Sequence, residues 1–133
     1  MGHYQDYRRA TSLFDARDYR GAARLLERLV AESGPDVLHG LSAARLLLAR
    51  AYYHSAQLRR AEESSRAILR DEPADAYAAL LLARTLERSG RRDEAARALA
   101  LATALGAPGL GQGLDNTELD NTELDNSREE DAA

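Results

Sequence analysis

Three histidines, His3, His39 and His54, are the chain's only imidazoles, and no cysteine accompanies them. A histidine metal site needs two or three ligands at helical or loop spacing, and a proton-transferring histidine needs a positioned partner. These three fall in separate segments with no ligand-like spacing. Packed or surface imidazole is the expectation, with no metal and no cofactor. The pairs Arg8-Arg9, Arg59-Arg60 and Arg91-Arg92 could meet phosphate, but successive helical residues diverge by about 100° and acids lie close by. Solvated helix faces are the better reading. The glycine-rich run GAPGLGQG at 106–113 lacks the lysine and the strand-to-helix setting of a phosphate cradle. The Asp and Asn residues near the C-terminus lack the glycine-turned loop of a calcium site. No order of Ser, His and Asp suggests a relay. These residue types point away from an enzyme.

The elements that carry these residues are bounded by composition. A length of 133 residues allows one domain, or one domain and a tail. With 44% hydrophobic residues, a single Phe and no Trp, the core must be aliphatic, built from Leu and Ala. The absence of cysteine fits a reducing compartment. MGHYQDYRRA opens the chain without the apolar run of a signal peptide, and Asp6 stands where a myristoylation start wants Ser or Thr. No 18-residue apolar stretch occurs, so no membrane partner and a cytoplasmic location are expected. All 18 basic residues are Arg, a bias that points to GC-rich coding and a bacterial source. Residues 1–110 carry 17 Arg against 14 acids, a balance of +3, whereas 111–133 carry one Arg against eight acids, a balance of −7. A body of +3 is too weakly basic to argue for nucleic acid.

An internal repeat decides the organisation. RDYRGAARLLERLV (17–30), AQLRRAEESSRAIL (56–69) and GRRDEAARALALAT (90–103) each begin at a turn and place Ala sixth, at Ala22, Ala61 and Ala95. The spacing from Ala61 to Ala95 is 34 residues. From Ala22 to Ala61 it is 39, with a five-residue insertion in SGPDVLHGLS. Twelve residues upstream of each lies another alanine: Ala10, Ala49 and Ala83. Helices approach closely only where side chains are small, so these paired alanines mark crossing points. Breakers at Ser33-Gly34-Pro35, Pro73, Ser89-Gly90, Gly106 and Pro108 separate the segments. The pattern predicts six helices, over 3–16, 20–32, 37–55, 59–71, 75–89 and 92–105.

With these positions the chain resembles the tetratricopeptide repeat family over residues 4–107. The second repeat supplies Leu48, Ala49, Tyr52, Ala61 and the closing Pro73, and the third supplies Leu82, Ala83, Gly90 and Ala95. The first departs from the pattern, with Arg9 at a core leucine position and Arg17 at the turn glycine. The resemblance implies an all-α solenoid of three helix-turn-helix repeats over 1–107, followed by a linker and a disordered acidic tail over 108–133. It also implies that each first helix lines a concave groove. The family usually closes its last repeat with a polar helix. None follows residue 105 here, which leaves Leu99, Ala102 and Thr103 on a face expected to be uncovered.

Helix 37–55 is apolar on two faces. Leu41, Ala44, Leu48, Ala51 and Tyr52 form the packing stripe. Leu46, Leu47, Arg50, Tyr53 and His54 form a second stripe, matched by Tyr7, Thr11 and Phe14 in the first repeat and by Tyr77, Leu81, Arg84 and Arg88 in the third. In the resemblance this stripe faces the groove. It suits a protein or peptide partner with apolar and acidic residues; the alternative is that curvature of the stack buries part of it. The family's two-carboxylate clamp for heat-shock chaperones is not expected, because Tyr7, Thr11, Leu47, Tyr77 and Leu81 supply neither the charge nor the amide. Residues 114–126, LDNTELDNTELDN, repeat a five-residue unit and offer Leu114, Leu119, Leu124 and acids such as Asp120. Two readings follow. The module takes a partner's peptide in the groove, with its own tail or an appended tail peptide as a resident ligand. Alternatively, it self-associates through the uncovered third repeat.

Overall fold

The structure, a computed structural model, describes residues 2–33 and 41–107. Among them are six α-helices: α1 Gly2–Asp15, α2 Tyr19–Ser33, α3 Ser42–His54, α4 Leu58–Asp71, α5 Ala76–Arg88 and α6 Arg92–Ala104. No strand occurs among the described residues. Helix α3 begins at Ser42 rather than at 37, and the other helix ends lie within one residue of expectation. Residues 108–133, which hold the tail boundary and the expected disorder, lie outside the described residues.

The turns explain why the chain breaks where it does. After α1, α3, α5 and α6 the backbone enters the left-handed region at Arg17, Ala56, Gly90 and Gly106. At each, the next N–H reaches back five residues to close the helix end: Asp18 to Leu13, Gln57 to Tyr52, Arg91 to Leu86 and Ala107 to Ala102, at 2.8–3.0 Å. This is the Schellman closure, which satisfies carbonyls the helix leaves open. Arg17 and Ala56 adopt it with side chains for which this conformation costs about 1–2 kcal/mol. Gly90 and Gly106 adopt it freely. Asp18 accepts a hydrogen bond from the Gly21 amide at 2.9 Å, and Asp75 accepts one from Ala78 at 3.0 Å. Each carboxylate thereby caps the helix that follows.

Three helix pairs result, α1–α2, α3–α4 and α5–α6, joined by α2 packing on α3 and α4 on α5. Ala10, Ala22, Ala49, Ala61, Ala83 and Ala95 are all buried, as close helix crossings require. One core cluster runs from Ala10 and Phe14 through Leu26, Leu48 and Ile68 to Leu81 and Ala102. A smaller one joins Leu82, Leu86, Ala95 and Ala98 at the last pair. The first helices also touch along their own row, α1 on α3 and α3 on α5, whereas the second helices α2, α4 and α6 do not pack on one another to that degree.

Candidate functional site

The second stripe of α3 gathers most of the predicted groove residues, and it places six of them inside. Phe14, Leu47, Arg50, Tyr53, Leu81 and Arg84 are buried, Tyr53 to 1% exposure. Tyr7, Thr11, Leu46, His54 and Tyr77 are half-buried, and Arg88 is exposed. An aromatic knot ties α1, α2 and α3 together. The His54 ring stacks on Tyr19 at 4.8 Å between centroids and meets the edges of Phe14 and Tyr53 at 5.6 and 5.4 Å. Phe14 itself meets Tyr19 edge-on at 5.0 Å. Such pairs add about 0.5–1.5 kcal/mol each beyond the area they bury.

The arginines of this stripe are engaged within the fold. The Arg50 guanidinium lies 4.8 Å over the Phe14 ring, and that of Arg88 lies 4.8 Å over Tyr53. Arg88 also donates to the Tyr53 carbonyl at 3.0 Å, which ties α5 to α3. Arg84 pairs with Glu87 on its own helix. Thr11 turns its hydroxyl back onto the Tyr7 carbonyl at 3.0 Å. Burial raises the Tyr53 phenol's pKa above its usual value, although Arg88 and Arg84 oppose the rise. Tyr52, on the packing face, is pushed up to about 12 by burial and by its hydrogen bond with Glu27.

Tyr19 is the member of this knot that the sequence reading missed. It sits at the start of α2, outside the first-helix faces where groove residues were sought. The signal available was its place directly after the capping Asp18, which turns the ring back toward α1 and the end of α3.

On the side of the second helices, α4 and α6 are spanned by charge. Arg66 donates to Glu62 at 3.0 Å and across to Glu94 at 3.2 Å, while Arg91 donates to Glu62 at 2.6 Å and to Glu94 at 2.7 Å. Burial opposes ionisation of Glu62, but the hydrogen bonds from Arg91 and Arg66 outweigh it and hold its carboxyl below the ordinary value. Hydrogen bonding from Arg91 lowers Glu94 as well. Beside this network, between α4 and α6 with α5 as its floor, lies a groove of 510 Å³ that includes Leu69, Leu82, Ala98 and Leu101 with Arg70 and Arg97. The sequence reading did not single out this surface. Leu101 is 40% exposed, while the fully buried Ala102 corrects the expectation that it lies on an open face. Ala102 is covered because the turn at Gly106 brings Ala107 back onto the end of α6.

The last pair still differs from the others. Leu26, Ser65 and Leu99 occupy equivalent positions in α2, α4 and α6. The first two are fully buried, and Leu99 is half-buried. A following helix covers Leu26 and Ser65, and among the described residues none follows α6. Thr103 is exposed there and donates to the Leu99 carbonyl at 2.9 Å.

Among the described residues no group of three or more His, Cys, Asp or Glu is placed to hold a metal, and no helix is long and apolar enough to cross a membrane. His39 and the tail residues Leu114, Leu119, Leu124 and Asp120 lie outside the described residues. Compared with protein-family models and with the curated proteins, the chain matches none.

Proposed function

We propose that the chain is a three-repeat tetratricopeptide-like solenoid that acts as a protein–protein interaction module without enzymatic activity. It takes an apolar and acidic peptide along the face of its first helices. The observation that carries this reading is the contact of α1, α3 and α5 along one row while α2, α4 and α6 stay apart. Such an arrangement bends a stack toward its first helices and makes theirs the inner surface. On that surface Tyr7, Leu46 and Tyr77 remain half-open, flanked by the exposed Arg8 and Arg88. The buried members, Tyr53, Arg50 and Arg84, make the floor rigid beneath them. Aromatic and aliphatic anchors with a few arginines at the edge suit a peptide of apolar side chains and carboxylates. Titration of the isotope-labelled chain with such a peptide should shift the amides around Tyr7, Leu46 and Tyr77 first. A Tyr77→Ala variant should weaken binding by about tenfold, or 1.4 kcal/mol. Saturating peptide with no shifts on this face would end the reading.

The half-open Leu99 supports a second reading, self-association through the last pair. Light scattering over a concentration series would then give a dimer that a Leu99→Glu variant abolishes. A monomer at every concentration in both proteins would exclude it.

A further inference from the structure

We infer that residues 114–126 of this same chain dock in cis in the groove between α4 and α6. The inference stands apart from the first-helix reading, because it concerns the opposite row of helices and a different ligand.

The groove exists because the second helices do not pack on one another, so α5 shows through between them. Its apolar floor and its 510 Å³ fall in the size range of ligand pockets, about 300–1,000 Å³, and suit one leucine with its flanking backbone. Its charge is also distinctive. Arg50, Arg84 and Arg88 on the first-helix face are engaged with rings, a carbonyl or Glu87. At this groove Arg66 is likewise engaged, with Glu62 and Glu94. Arg70 and Arg97, by contrast, have no hydrogen bond or ion pair among the described residues. The one acid of the lining, Glu94, is already held by Arg91 and Arg66. Two cations beside an apolar floor therefore await carboxylates.

The segment 114–126 carries that pattern. Leu119 and Leu124 each stand between a Glu and an Asp, as Glu118-Leu119-Asp120 and Glu123-Leu124-Asp125, and Leu114 is followed by Asp115. Each unit places an apolar side chain between carboxylates, the counterpart of a leucine-lined floor between Arg70 and Arg97. The tether fits as well. The described chain ends at Ala107, on the last turn of α6, and seven residues separate it from Leu114, a reach of up to about 25 Å. From Leu101 back to Glu94, the groove occupies about 10 Å of α6. All three leucines can reach it, so the repeat provides alternative registers for one seat. Tethering sets an effective concentration on the order of 1 mM, at which an intrinsic Kd of about 100 μM keeps the groove filled roughly 90% of the time.

Because the chain contains no cysteine, an Asn121→Cys variant of the full chain accepts a single nitroxide, and amide line broadening then maps where the segment rests. The expected result is strongest broadening at Leu69, Leu82, Ala98 and Leu101, in a sample where every chain is labelled. An Arg70→Glu/Arg97→Glu variant carrying the same label should weaken intrinsic binding about tenfold, halving the filled fraction and the broadening. Ionic strength of about 1 M, where screening acts within about 3 Å, should act the same way. The amide dispersion of the double variant, whose changes lie at the groove edge, reports that it remains folded. Broadening centred on Tyr7, Leu46 and Tyr77 would overturn the inference in favour of the first-helix face. Broadening that appears only between labelled and unlabelled chains would overturn docking in cis. Uniform weak broadening, or none, would overturn docking altogether.

Discussion

Two regions of this molecule carry leucines beside arginines, and they use them in opposite ways. On the first-helix stripe, Arg50 and Arg88 lie over aromatic rings and Arg84 is buried with Glu87 at its tip. There the guanidinium is a flat packing element whose stem and face cover apolar surface. Beside the α4–α6 groove, Arg70 and Arg97 pack no ring and meet no carboxylate among the described residues. The lesson is that an arginine near leucines becomes structural when an aromatic ring comes within reach. It stays available to a ligand when the neighbouring helices stand apart.

The comparison can be broken by mutation. The largest effect should come from Tyr53→Ala in the floor of the stripe, which removes a ring buried to 1%. It should cost about 3–5 kcal/mol in denaturant unfolding, and a cost near zero would mean that the stripe is not a packed floor. Alkaline titration follows in size. The Tyr52 phenol has its folded pKa raised, to about 12, against an unfolded value of about 10. Its contribution is therefore complete below about pH 10 and is lost as pH rises toward 12. Unfolding free energy should fall over that window by at most about 3 kcal/mol, and Tyr52→Phe should flatten the fall.

Arg50→Ala should cost about 1–2 kcal/mol through its lost contact with Phe14 and its lost packing. Ala56→Gly, in the turn that joins the stripe helix α3 to the groove helix α4, should instead stabilise by about 1 kcal/mol, since its backbone sits at φ 62°. Arg97→Ala should change stability by no more than about 0.5 kcal/mol. If Arg97→Ala costs as much as Arg50→Ala, the distinction between structural and available arginines fails.

The difference between these regions explains what was legible in advance. The alanine pairs, the 34-residue spacing and the breakers are local signals, and they located the six helices to within a residue at nearly every end. The exception was the start of α3. There SGPDVLHGLS mixes breakers with apolar residues, and the helical period alone does not say where the first turn forms. The groove between α4 and α6 was not legible, because its lining comes from three helices and its existence depends on the gap between two of them. Tyr19 escaped for a related reason: its neighbours Phe14 and His54 are close only after two turns and a helix crossing.

The sequence by itself determined that the described chain would be helical, paired and jointed at Arg17, Ala56, Gly90 and Gly106. Periodicity and turn chemistry act over a few residues and need no knowledge of the rest of the chain. Only the tertiary structure decided which apolar and cationic side chains are consumed by the fold and which are left to meet a ligand. Burial depends on what the neighbouring helix presents. The arginine codon is the same at Arg50 and Arg97, but a phenylalanine ring lies under the first guanidinium and not under the second.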